Sequence, residues 1–215
     1  MNESYINKKL ATLISIVFAT QLVALVYGMY AVDIMYKLDI TYKLTPVIFN
    51  VGYMILYLPI IIAAYIIASQ KDLYRNSTAK LFSWIFFGLE TFGFLDLLSY
   101  VVFDNNLSGL MGASGHIIIT NIYATSAILF FATLPMWNPV KITGIISGLP
   151  SIVIGILRFQ IVSKGYSEDV WSIIDTIETI VWVQLVLKAT ALILSIIWAS
   201  KKPVVPSMKQ TINTI

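Results

Sequence analysis

An all-α, polytopic membrane bundle of six transmembrane helices is the fold this sequence predicts, on three observations. The first is composition: of 215 residues, 58% are hydrophobic and 12% charged, and the mean hydropathy is +0.84. Soluble domains are about half apolar and a quarter charged. The second is a series of apolar runs, each near the roughly 20 residues that a helix needs to cross the hydrocarbon core. The third is the basic residues, which collect at alternate ends of those runs as they do in polytopic membrane proteins.

The first run, Leu10 to Tyr30, follows Lys8 and Lys9. It is longer than the apolar segment of a signal peptide and is read as a retained span. Pro46 to Ser69, Leu81 to Phe103, Ala113 to Leu134, Val140 to Val162 and Val170 to Ser200 supply the other five. Residues 1–202 then form one six-helix domain, and 203–215 a polar C-terminal tail. The segment Lys37 to Leu44 alternates polar and apolar residues, which suits either an extended strap over the bundle or a plain loop.

An even number of spans puts both termini on one side. That side carries Lys8, Lys9, Lys71, Arg75, Lys80, Lys141, Lys201, Lys202 and Lys209, against Lys37, Lys43 and Lys164 on the other. The positive-inside rule therefore predicts cytoplasmic termini, in a cell (plasma) membrane. Trp84, Tyr100, Trp137, Tyr166, Trp171 and Trp198 lie near span ends, where aromatic belts anchor helices.

Small residues recur at Gly144, Ser147, Gly148, Ser151 and Gly155 in the fifth run, and at Ala191, Ser195 and Ala199 in the sixth. Such stripes let helix backbones approach closely. Pro59 and Pro150 fall inside the second and fifth runs, where each removes a backbone hydrogen bond and predicts a kink or unwound turn. Leu58-Pro59 and Leu149-Pro150 occupy corresponding places in the two halves of the chain, and with Phe18-Ala19-Thr20 and Tyr123-Ala124-Thr125 they suggest a 3+3 inverted repeat.

Several chemistries are excluded by what the chain lacks. With no cysteine and a single histidine, His116, there is no thiolate metal site, iron–sulfur cluster or bis-histidine haem. No metal site, catalytic residue or cofactor is assigned. The net charge of +3 is spread along span ends, which does not suit nucleic acid. Gly112-Ala113-Ser114-Gly115 resembles the nucleophile signature of rhomboid proteases, but that chemistry needs a histidine from a later helix to take the serine proton, and none follows His116.

The candidates for function are the ionisable residues inside the spans, which are costly there and mark functional sites by default. At about 1.5 Å per residue from the flanking lysines, Glu90 and Lys188 reach matched depth near the midplane, which predicts a contact between them. That pair is either functional or a structural ion pair fixing helix register. Towards the opposite side from the termini lie Asp96, Asn121, Arg158, Asp175 and Glu178. Asp175 and Glu178 share a helix face with Trp182, whereas Gln184 and Lys188 project from the other. These residues either line a polar vestibule that narrows to Glu90 and Lys188, or, for Arg158, Asp175 and Glu178, snorkel to the headgroups.

The leading expectation is a small transporter or channel for a cation, a proton or a small polar solute, with Glu90 and Asp96 coordinating or titrating against Lys188. An accessory subunit of a larger membrane complex, respiratory complexes included, is the alternative. A lipid-modifying enzyme using Asp96, Asp175 or Glu178 is a third reading. Expected partners are the lipid bilayer and either further copies of the chain or subunits of a membrane complex.

Overall fold

The computed structural model describes residues 3–38, 44–70, 77–103, 112–164 and 169–201. Among these, every regular element is an α-helix: α1 (Glu3–Lys37), α2 (Thr45–Ser69), α3 (Ser77–Phe103), α4 (Gly112–Thr133), α5 (Asn138–Lys164) and α6 (Asp169–Ser200). The Lys37–Leu44 strap expected from the sequence lies mainly outside the described residues, as do the side chains of Ser114 and His116.

Helix ends follow local chemistry. Proline in the first turn of α2 and α5, at Pro46 and Pro139, loses no intrahelical bond there. Pro135 stops α4, because the residue before a proline is pushed out of helical geometry. Inside the helices, hydroxyls return to carbonyls a turn earlier: Thr20 to Ile16 at 2.9 Å, Ser83 to Ala79 at 2.8 Å and Thr91 to Phe87 at 2.9 Å. In hydrocarbon, where water cannot satisfy them, that is where such groups must turn.

Five helices, α1, α2, α3, α5 and α6, contain stretches long and apolar enough to cross a membrane. For α4 the apolar stretch is shorter, Ile117–Thr133. The protein is thus an α-helical membrane bundle. Its outward faces carry large apolar side chains such as Ile34, Ile55, Leu81, Phe103, Ile156, Val186 and Ile193, all exposed. A surface of that kind is suited to lipid.

Each helix packs against its neighbours in the chain, and α6 returns to α1, so the six close into a ring taken in sequence order. Residue pairs across the seams run in opposite directions: Ser15 with Ser195 and Gln21 with Lys188 between α1 and α6, Phe86 with Phe130 and Leu89 with Tyr123 between α3 and α4. Neighbouring helices are therefore antiparallel. The small-residue stripe of α5 seats α4, since a methyl group at Gly144 would stand 2.9 Å from the Phe131 ring and one at Gly148 2.5 Å from Ile128. On α6, Ala191 and Ser195 are buried, and Ser195 Oγ accepts from Ser15 Oγ at 2.9 Å.

Pro59 and Pro150 lie inside helices that run through them unbroken, so neither unwinds its helix. One lost hydrogen bond is tolerated while the packed neighbours hold the turns on either side.

The core is not spread evenly along the ring. All the largest fully buried apolar side chains, among them Leu10, Ile14, Phe18, Ile67, Phe86, Phe130, Phe131 and Leu134, lie in the half that carries the N-terminus of α1 and the C-terminus of α6. There Phe18 stacks on Phe131 with centroids 4.8 Å apart, Phe131 meets Phe130 edge-on at 5.3 Å, and Phe130 stacks on Phe86 at 4.3 Å. This aromatic row joins α1, α4 and α3 across the interior and seals that end. Lys201 sits 3.5 Å over the Trp137 ring at the same end, an amphipathic pair suited to an interface.

Candidate functional site: a cavity inside the ring

Above the aromatic seal the ring encloses a cavity of about 410 Å³, lined by residues of all six helices. Phe131 and Ile60 form its floor on the sealed side. Glu90, the central residue of α3, is buried and faces this space, and Asp96 on the same helix is buried and lines it further from the seal. Lys188 enters from α6 and Gln21 from the middle of α1.

Two contacts fix the α6 side. The Lys188 ammonium donates to Gln21 Oε1 at 2.8 Å. One turn earlier the buried Gln184 donates from Nε2 to Ser151 Oγ of α5 at 2.6 Å. Glu90 and Lys188 face the same cavity and interact electrostatically across it. Among the described residues no contact within 4.0 Å joins them as an ion pair. The expected direct contact is replaced by a lysine held by a carboxamide, with the carboxylate opposite.

On the other wall, Tyr57 of α2 and Tyr123 of α4 close over α3. Gly93 makes this approach feasible: a Cβ there would fall 2.8 Å from the Tyr123 hydroxyl and 3.1 Å from the Tyr57 ring. The Tyr123 hydroxyl donates to the Leu89 carbonyl, anchoring α4 to α3 next to Glu90. Tyr53 and Phe92 also line the cavity.

No family model matches the chain, and no curated protein or solved structure is detectably similar to it. The geometry alone therefore carries the functional argument.

Of the residues singled out in the sequence, the structure brings together Glu90, Asp96 and Lys188 and leaves the others apart. Asp175 and Glu178 are exposed on α6, away from the cavity lining. Arg158 is exposed on α5, although it interacts electrostatically with Tyr53 across the ring. Asn121 faces α5, where a Cβ on Gly155 would collide with its carboxamide. Its Nδ2 donates to the Ile117 carbonyl at 3.0 Å, while Oδ1 is buried without a hydrogen-bond partner. It borders a separate groove between α3 and α4 with Ile118, Ile122 and Phe82.

Gln21, Tyr57 and Tyr123 belong to the site but do not announce themselves by charge. A lone carboxamide and two mid-span tyrosines, away from the belts at helix ends, were the available signals. Among the described residues no group of three His, Asp or Glu side chains is placed to hold a metal ion. What the cavity offers is two carboxylates, one ammonium, a carboxamide and phenol hydroxyls, a set that can bind a small charged solute or pass a proton.

Proposed function

We propose that the protein is a small membrane transporter or channel for a cation, a proton or a small polar solute. One observation supports this reading above the rest: Glu90, Asp96 and Lys188, from two helices, converge on one cavity near the middle of the bundle. Ionisable groups held at that depth are expensive, and a chain retains them where a substrate or proton needs them. The cavity volume is also that of a small-molecule site, which typically spans about 300–1,000 Å³.

In this proposal α4 is the sixth span. Its 22 residues make a rod of about 33 Å at 1.5 Å per residue, enough for a hydrocarbon core of about 30 Å. The termini and the aromatic seal then lie on the cytoplasmic side of the cell membrane, on the bias of lysine and arginine. The cavity would be reached from the opposite side, with Arg158 and Tyr53 near its mouth. Residues 1–202 act as one transmembrane domain and 203–215 as its tail.

The 3+3 inverted repeat is left out of the proposal. In a ring taken in chain order, moving every helix three places on keeps the sense of rotation. A two-fold axis in the membrane plane, which an inverted repeat requires, reverses it.

The test is flux in vesicles reconstituted with the purified protein, using a pH-sensitive dye for protons and radiolabelled cations for solutes. Flux should be saturable and should fall at least roughly tenfold on Glu90→Gln, since removing a group that must carry or balance charge leaves its partner unpaired. Full flux in both Glu90→Gln and Lys188→Met, with normal folding, would remove the proposal.

A further inference from the structure

We infer that the central cavity binds a small zwitterion of the amino-acid type, its ammonium group on Glu90 and its carboxylate on Lys188 and Ser151. The inference rests on the transport reading for its biological sense and narrows the solute class, but as a statement about binding it stands or falls separately.

Two opposite charges stand on opposite walls. In a ring taken in chain order α3 and α6 face each other, and Glu90 and Lys188 reach into the cavity from them. They attract across it without touching: among the described residues no contact within 4.0 Å joins them. Glu90 is only 7% exposed, and among the described residues no donor is hydrogen-bonded to its carboxylate. A buried carboxylate left so is expensive, and the N–H groups of a ligand ammonium would relieve it. On the facing wall Lys188 spends one N–H on Gln21 at 2.8 Å and has others to donate. Ser151 accepts from Gln184, one turn before Lys188, and keeps its own hydroxyl proton to give.

That arrangement chooses a ligand of both signs. A simple cation satisfies Glu90 and repels Lys188, and a simple anion does the reverse. A zwitterion laid head to tail against the pair satisfies both walls and leaves the charge of the site unchanged. Asp96 also lines the cavity, but it has an interaction of its own and is not among the groups called on. The cavity has about 410 Å³ of room, and away from the charged pair its lining is apolar or aromatic at Leu56, Ile60, Phe92 and Phe131. Such walls favour a compact apolar side chain on the zwitterion, because a polar one would lose its water without gaining a partner.

The experiment is equilibrium binding of radiolabelled L-leucine to the full chain purified in detergent, with isoleucine and methionine as competitors. Leucinol, which lacks the carboxylate, and 4-methylpentanoate, which lacks the ammonium, serve as controls with the same side chain, a comparison that needs no variant. Leucine should bind saturably, the two amino acids should displace it, and each control should bind at least roughly tenfold more weakly. Lys188→Met should bring leucine down to the level of leucinol, and Glu90→Gln should bring it down to that of 4-methylpentanoate. Such a loss of discrimination with binding retained is a result that misfolding does not produce. Ser151→Ala should weaken leucine by roughly threefold to tenfold.

Binding of either control as tight as that of leucine, or no saturable binding of any of the three amino acids, overturns the inference. If vesicles then still pass protons or alkali cations in a Glu90-dependent way, the transport reading survives and only the ligand class is lost. Saturable leucine binding without movement across vesicles has the opposite meaning: the ligand class holds and transport does not.

Discussion

Lys188 donates its hydrogen bond to Gln21 Oε1, 2.8 Å away across the seam where α6 closes the ring onto α1. The lysine is thus tied to the first helix of the bundle while facing a carboxylate on the third. Removing the acceptor should expose that dependence. Gln21→Leu leaves a partly buried ammonium without its partner and should destabilise the bundle by about 1.5–3 kcal/mol, the usual worth of a hydrogen bond to a charged group. Adding Lys188→Met should recover part of the loss, as replacing both partners is cheaper than stranding one. Thermal unfolding of the four members of this cycle in detergent measures the coupling, and strict additivity would show that the bond carries no energy.

The aromatic row should be both structural and functional. Phe131 is stacked on Phe18 and touches Phe130, and it also forms the floor of the cavity. Phe131→Ala should cost about 3–5 kcal/mol through the cavity it leaves. The same change should make reconstituted vesicles leak a small polar dye that the unmodified protein retains.

Two glycines, Gly148 in the α4–α5 seam and Gly88 on α3, should respond in opposite ways to a larger side chain. Gly148→Val would drive a side chain into Ile128 and should destabilise the protein by about 1–3 kcal/mol. At Gly88 nothing lies within 4 Å of an added Cβ, so Gly88→Ala should be neutral or stabilise by up to about 1 kcal/mol through helix propensity. Melting temperatures of the two variants, compared side by side, decide the matter.

Acidic residues should divide by where their helices turn them. Asp175→Asn and Glu178→Gln alter exposed positions away from the cavity and should leave solute binding within about twofold of the unmodified protein, the range of ordinary surface substitutions. Glu90→Gln, at a buried cavity position, should change it far more. Binding isotherms for the three variants test the division.

Arg158 offers a check on the cavity mouth. It interacts with Tyr53 across the ring, so Arg158→Gln should speed the entry of a cationic solute by easing repulsion at the mouth, and the gain should shrink in high salt as the charge is screened. An unchanged rate at low salt would place Arg158 outside the entry route.

Much of the architecture could be read from Glu90, Lys188 and their neighbours before any fold was known. Hydropathy is a local property, so the apolar runs and their limits followed directly from the residues. Helical periodicity separated Asp175 and Glu178 from Gln184 and Lys188 because angular position on one helix is also local. The small residues of α5 marked a close helix contact for the same reason.

Which helices meet, and which side chains share a space, depends on packing between distant parts of the chain. Depth alone paired Glu90 with Lys188, but depth says nothing of azimuth. Only the closed ring showed that α1 lies against α6 and presents Gln21 to the lysine. Tyr57 and Tyr123 look like ordinary apolar-span residues until Gly93 brings them over α3. Composition determined a membrane bundle with costly charges in its middle; tertiary structure decided that three of those charges face one cavity, because hydrophobicity drives a helix into the bilayer without choosing the neighbour its polar face will meet.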